Sequence, residues 1–498
     1  MRLIDFIVGF QNKPARKCWR RIWASVGLAI LLSTVYLACR LTRDVPVLHQ
    51  SAEEHFKYGS TGGERDAGIP VALWRILPDL FPQFLPGKGY ASIGFLFETN
   101  REFPIGVSQR NVQGIDRVFV NCAVCHTGTV RDTPDSTPRV IVGMPANGMN
   151  LQAFERFIFA CARDEGFNSQ RLVDEIAQRH GDDWLNRLLF RFIAVDLARQ
   201  RLITLGQRFA FMDREPDTGP GRVDTFNPPK TLLNFPMHKI PTNEWVGNCD
   251  LPSIWNQAKR EGMWLHWDGN NNSVEERNRS AAFGTGATPP TLDRPSLKRM
   301  EEFIRTNTPP PWPYGIDQRK AERGGKLYTE YCLKCHGRNG SDFSGEYVGK
   351  VTPIENIGTD RHRLDSYSPE LCANQNLLYA AYPEERFRHF RKTFGYANQP
   401  LDGLWLRGPY LHNGSVPTLR ELLEPASKRR KEFYRGYDVI DRRDVGFLSD
   451  LPQEKGRTFF KFDTRLPGNG NMGHEGLEYG TDLGADDKDA LVEHLKTF

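Results

Sequence analysis

The chain has 498 residues, with 66 Lys or Arg against 61 Asp or Glu. The net charge is only +5, the two signs are interleaved and no long basic block occurs, which argues against a nucleic-acid partner. The length suits two or three domains, and 45 Gly with 33 Pro point to a loop-rich fold rather than long regular bundles.

The N-terminus reads as an address. Lys13, Arg16, Lys17, Arg20 and Arg21 form a basic cluster, and Ile22 to Cys39 then runs without a charge. An uncharged stretch of about 18 residues just spans a bilayer. The larger basic cluster precedes it, so the positive-inside rule makes residues 1–21 a cytoplasmic tail. Residues 22–41 are then a signal anchor, a single transmembrane helix in the bacterial inner membrane, with everything later in the periplasm. The alternative is cleavage near Ala38, which would release a soluble periplasmic protein. Residues 42–70 are polar and read as a tether.

Residues 71–305 form a first region. Helical spacing is clearest at Leu151–Arg163 and at Trp184–Leu205. The run Thr306-Asn-Thr-Pro-Pro-Pro-Trp-Pro-Tyr314 is a proline-rich linker, because consecutive prolines cannot continue a helix. Residues 315–498 form a second region, opening on a helix at Asp317–Tyr331 and closing on one at Ala485–Lys496.

Nine cysteines are too few and too scattered for a disulfide scaffold in so long a chain. Four of them fall into two pentads, Cys122-Ala-Val-Cys125-His126 and Cys332-Leu-Lys-Cys335-His336. Cys-x-x-Cys-His is the pattern of covalent haem c. Two thiols three residues apart on one turn reach the two vinyl carbons of a porphyrin edge, and the next imidazole meets the iron. Zinc would need further ligands at suitable spacing, and a thioredoxin-like pair would not need the terminal His twice. Two covalent haems are therefore expected, and such haems are attached outside the cytoplasm. Cys161, Cys249 and Cys372 leave their pairing open. The predicted fold is mainly α: two cytochrome c-like haem domains with long loops, plus the N-terminal transmembrane helix.

The second axial ligand separates an electron carrier from a catalyst. His412 and His474 stand out, each in a Gly/Asn-rich loop after the second pentad. The remaining histidines, His266 among them, read as ordinary surface or core residues. Met144 and Met149 follow His126 and could supply a sixth ligand in a pure electron carrier, although core or loop roles are commoner for such residues.

Gly408-Pro-Tyr-Leu-His412-Asn-Gly resembles the Pro-Tyr-aromatic-His-x-Gly signature of bacterial di-haem cytochrome c peroxidases, with Leu411 in the aromatic place. Four further stretches are more similar to the rubber oxygenase-like c-type cytochromes: 219–226, 250–256, Leu265-His-Trp-Asp-Gly-Asn-Asn271, and Leu466-Pro-Gly-Asn-Gly-Asn-Met-Gly-His474. The resemblance runs from about residue 70 to the end.

That resemblance implies two unequal haems. His126 becomes proximal ligand of the active N-terminal haem, and His336 proximal ligand of an electron-transfer haem. His474 completes the latter, because Ala426 stands where typical peroxidases carry a Met. His412 then contacts a propionate or holds its loop near the haem. Trp267 is the electron relay between the two, with Asp268 and Gly269 shaping its turn. Ala282 and Phe283 fall where the family builds the distal pocket, with Phe283 as an apolar lid. The acid that peroxidases use there is missing. Arg407 occupies the place of a peroxidase ligand Thr, which counts against their calcium site. The function implied is a periplasmic oxidoreductase that activates peroxide or dioxygen and exchanges electrons with a periplasmic donor or acceptor, with an organic substrate possible. A pure electron-transfer cytochrome is the alternative. Polyisoprene cleavage, known in part of the branch, is not assigned.

Overall fold

The computed structural model describes residues 13–180, 184–232 and 235–498, so residues 1–12 of the expected cytoplasmic tail lie outside the described residues. About 43% of the chain is helical, and the strands are short, two to six residues each. Helix α1 spans Lys13–Leu41, and none of its 24-residue apolar part, Cys18–Leu41, is buried in the protein. At 1.5 Å per residue that part is about 36 Å long, enough for a hydrocarbon core of about 30 Å. By length and composition α1 can cross a membrane or act as a signal sequence.

The stretch 42–70, expected to be a tether, is built into the fold instead. Strands β1 (Asp44–Pro46) and β2 (Ile69–Pro70) flank β3 (Val107–Val112) and β4 (Ile115–Val120) in an antiparallel sheet of order β1-β3-β4-β2. Helix α2 (Ala52–Tyr58) buries Phe56 and Tyr58. The polarity that suggested a tether is used internally. Lys57 and Tyr58 bind Glu98 at 3.0 and 2.6 Å, and Ser60 donates to buried Glu64 at 2.7 Å. Buried Arg110 pairs with both Asp44 and Asp293. Charges satisfied within the protein can be enclosed at little cost, whereas a sequence pattern registers only that they are polar.

The first core forms between α3 (Val71–Leu80), the sheet and α4 (Leu151–Arg163), around Trp74 stacked on Tyr90 at 4.0 Å. Helix α4 has the expected bounds. Asn150 caps it by accepting from the Ala153 amide at 3.0 Å, and Phe154, Phe157, Ile158 and Cys161 face inward. The helix expected from Trp184 runs to Arg208, interrupted by a π-helical turn at Phe190–Ala194.

The second core forms where α5 (Gln318–Tyr331) crosses α6 (Ala485–Leu495). A Cβ on Gly324 would collide with the Ala490 carbonyl, so the close crossing requires glycine there. Val130, Met144 and Trp255 from the first region join Trp312, Trp405 and Leu491 in this core. The proline-rich stretch is extended but packed: Trp312 meets Trp405 edge-on at 5.6 Å, and the Trp405 indole donates to the Pro310 carbonyl at 3.0 Å. A parallel bridge joins Arg131 to Val439. No disulfide joins any of the nine cysteines, and Cys161, Cys249 and Cys372 are buried.

Candidate functional site

The two pentads fold alike. In each, the amide of the second cysteine bonds to the carbonyl of the first, Cys125 to Cys122 at 3.3 Å and Cys335 to Cys332 at 3.2 Å. This turn sets both thiols on one side. Asn121 braces the first turn: its side chain accepts from the Ala123 amide at 2.9 Å and donates to the Gly59 carbonyl at 2.9 Å. The second turn follows directly from α5.

The two histidines are also held alike. His126 Nδ1 donates to the Pro252 carbonyl, and His336 Nδ1 donates to the Gln399 carbonyl, both at 2.8 Å. A carbonyl oxygen only accepts, so the proton sits on Nδ1 and Nε2 presents a lone pair. This is how proteins fix the tautomer of a metal-binding imidazole. Burial pushes His126 down to about 4 and lowers His336 as well, so both stay neutral near pH 7.

His474 lies opposite His336, with ring centroids 6.1 Å apart. Two imidazole–metal bonds of about 2 Å plus the half-widths of two rings give roughly 6 Å, so the pair fits one iron between them. Arg429 fixes the His474 loop through the carbonyls of Asn471 and Gly473, at 2.6 and 2.9 Å. His412 sits elsewhere. It stacks on Tyr396 at 4.0 Å, and its carbonyl accepts from the Asp250 amide at 2.9 Å. Its buried Nε2 has no partner among the described residues, an orphan that a propionate oxygen would satisfy.

Between the carbonyl anchors of the two pentad histidines lies a small cavity, its wall including Pro252, Gln399, Trp267, His266, Arg260 and Arg277. The Trp267 indole donates to the Asp250 carbonyl at 2.8 Å. Trp267 therefore occupies the wall that carries both anchors. The buried pair Asp268–Arg363, at 2.7 Å, fixes its turn. Arg260 and Arg407 both bind Asp402. Arg277 pairs with no carboxylate among the described residues and donates only to the Asn278 side chain, at 3.1 Å. An enclosed guanidinium without a counter-ion is costly, and the carboxylates of a haem would supply one.

The helix Val274–Gly284 contributes Val274 and Arg277 to this cavity. Ala282 and Phe283, expected in a distal pocket, do not line it. Ala282 packs with Ala287, Leu292 and Leu297, and Phe283 contacts Tyr379 and Phe387. Phe283 is six positions beyond Arg277, which turns it to another side of the helix. Met144 and Met149 are buried, one in each core. Sequence reasoning missed the cavity residues His266 and Arg277. The available signal was that His266 directly precedes Trp267.

Residues 395–435 match the family model described as RoxA-like, cytochrome c-like. The chain is 30% identical over 287 residues to the uncharacterized protein y4iM of Sinorhizobium fredii, a match covering 50% of this chain and 64% of that protein. It is 27% identical over a 523-residue alignment to the uncharacterized protein y4iJ of the same organism, covering 84% of this chain and 85% of that one. The chain thus spans less than two thirds of y4iM. The segment that carries Tyr396, the His336 anchor Gln399 and His412 is therefore similar to a RoxA-like cytochrome c-like domain, a kind of domain that implies covalently bound haem c.

Proposed function

We propose that this chain is a di-haem c-type cytochrome that works as an oxidoreductase, taking a small oxidant at the His126 site and moving electrons through Trp267 and the His336–His474 site. The observation that carries this reading is the asymmetry of two otherwise matching sites. Both histidines are anchored through Nδ1. His336 faces a second imidazole, whereas His126 has no such ring contact among the described residues and its anchor Pro252 lines the cavity. Haem bound at each pentad would supply an iron able to exchange electrons and, where one axial position is open, to take a small ligand.

The chain's own groups divide the work. Cys122, Cys125, Cys332 and Cys335 would attach the two groups. His126, His336 and His474 would hold iron. Arg277, Arg260 and the orphaned His412 Nε2 are suited to carboxylates of the haems. Trp267 offers an aromatic path between the two sites. Helix α1 would anchor the protein in the inner membrane, with the sites in the periplasm.

Carbon monoxide tests the reading directly. Reduced protein should bind one equivalent per chain, and His126→Ala should abolish that binding. Binding of none, with both irons six-coordinate, would favour the electron carrier instead. Acid–acetone extraction should leave the pigment on the polypeptide.

A further inference from the structure

We propose that the outward side of the helix from Trp184 is a membrane-binding surface, seated among the anionic phospholipid headgroups of the bilayer that α1 enters. It takes α1 as the anchor proposed above and rests on neither haem.

That helix runs as Trp184–Leu189, the π turn Phe190–Ala194 and Val195–Arg208. Its inner side packs Phe190, Ala194, Val195 and Leu202 into the first core. Its outer side carries Trp184, Leu188, Phe192, Ile193 and Leu197, all exposed, with Trp184 and Phe192 each 72% so. These positions recur at intervals of four or five. A π turn closes i→i+5, so Leu188 and Ile193 fall on one side and the stripe passes through the turn unbroken. An apolar stripe left bare on a folded surface marks an interaction site.

Its place in the fold says what covers it. Arg40, in the last turn of α1, donates to the Asn186 side chain and to the Gly114 carbonyl, the latter at 3.5 Å. The Gln113 amide donates to the Arg43 carbonyl at 2.7 Å. Two grips therefore fix the end of the apolar span against the body, one of them at a residue between Trp184 and Leu188. The stripe begins where α1 ends, and the body is held so that it stays there. Val45, Val47 and Leu48, which follow α1, are exposed as well and extend the apolar surface along the chain.

The composition fits a headgroup layer. Residues 184–208 hold five arginines against one acid, Asp196. Arg187 and Arg201 are exposed, and Arg191 is half-buried directly before Phe192. Trp and Phe rings settle at the polar boundary of a bilayer, and guanidinium groups pair with phosphate there. A single spanning helix is free to tilt, and a second contact beside it fixes the tilt. The surface would thus set which side of the protein faces the membrane.

Photolabelling reads the contact directly. Full-length protein should be reconstituted into phosphatidylcholine vesicles with and without phosphatidylglycerol, each carrying a phospholipid with a diazirine near its glycerol end. After irradiation and digestion, mass spectrometry maps the adducts. They are expected on α1 and on 184–197, the second set stronger with phosphatidylglycerol present. In the double variant Trp184→Ser and Phe192→Ser, both at exposed positions, the 184–197 adducts should fall about tenfold, since burying one such ring is worth at least that factor. The adducts on α1 should not change. Adducts confined to α1 in the unmodified protein overturn the surface, and a doubled mass of the detergent-solubilised protein would then assign the stripe to a second copy of this chain. Equal labelling without phosphatidylglycerol overturns the anionic preference. Adducts on 184–197 with none on α1 uphold the surface and overturn the anchor, and adducts on neither overturn both.

Discussion

His412 and His474 look alike in the sequence, each in a Gly/Asn-rich loop, and the structure separates them by neighbour. His474 meets His336 across 6.1 Å, and His412 lies against Tyr396. His474→Ala should therefore raise carbon monoxide binding from one to two equivalents per chain, read from the reduced absorption spectrum. His412→Ala should leave the stoichiometry at one and lower stability by about 1–3 kcal/mol, measured by denaturant unfolding, because it removes a buried stacked ring. A second residue-scale consequence concerns Glu215, which is 8% exposed and lines a small pocket with Glu155 and Asp224. Burial first, and then the neighbouring Asp224, pushes its carboxyl up to about 11. The unfolded chain releases that proton near the ordinary carboxylate range, so the folded state holds the extra proton and stability falls as pH rises from there toward 11. The slope is at most about 1.4 kcal/mol per pH unit for one group. Glu215→Gln should flatten it, so the Tm advantage of the variant over the parent should grow from pH 5 to pH 9 in a thermal melt. A constant Tm difference would contradict the shift.

At the scale of elements, periodicity was legible where one side of a helix faces a core. Helix α4 appears with the expected bounds because Phe154, Phe157, Ile158 and Cys161 repeat at helical spacing. The helix from Trp184 was legible too, but its π turn was not, since one widened turn leaves the apolar pattern intact. The folded state of 42–70 was hidden, because its charges find partners far along the chain, such as Asp293 for Arg110. The pentads were plain from spacing, and the carbonyls of Pro252 and Gln399 that orient them were not, since a backbone acceptor leaves no mark on residue type. His266 was overlooked for the related reason that a lone histidine acquires meaning only from the cavity beside it. The α5–α6 crossing offers a direct test. Gly324→Ala places a methyl against the Ala490 carbonyl, and the helices must part. A loss of about 1–3 kcal/mol is expected for such overpacking, followed by circular dichroism during denaturation. An unchanged midpoint would show that the crossing tolerates a side chain.

Considered whole, the molecule couples an exposed apolar helix to a folded body that begins almost at once after it, since β1 starts at Asp44. With no slack segment between them, the sites would be held close to the bilayer surface rather than free to range from it. Full-length protein should stay with membranes after alkaline carbonate washing, and release into the wash would favour a cleaved signal instead.

Because Val130, Met144 and Trp255 are packed among Trp312, Trp405 and Leu491, the core beside the second pentad is built from both regions of the chain. If the polypeptide is exported as proposed, this shared core would close only once the final helix has arrived, which would give an attachment machinery time to reach both thiol pairs. Splitting the gene within 306–314 should therefore yield two insoluble fragments rather than two small cytochromes.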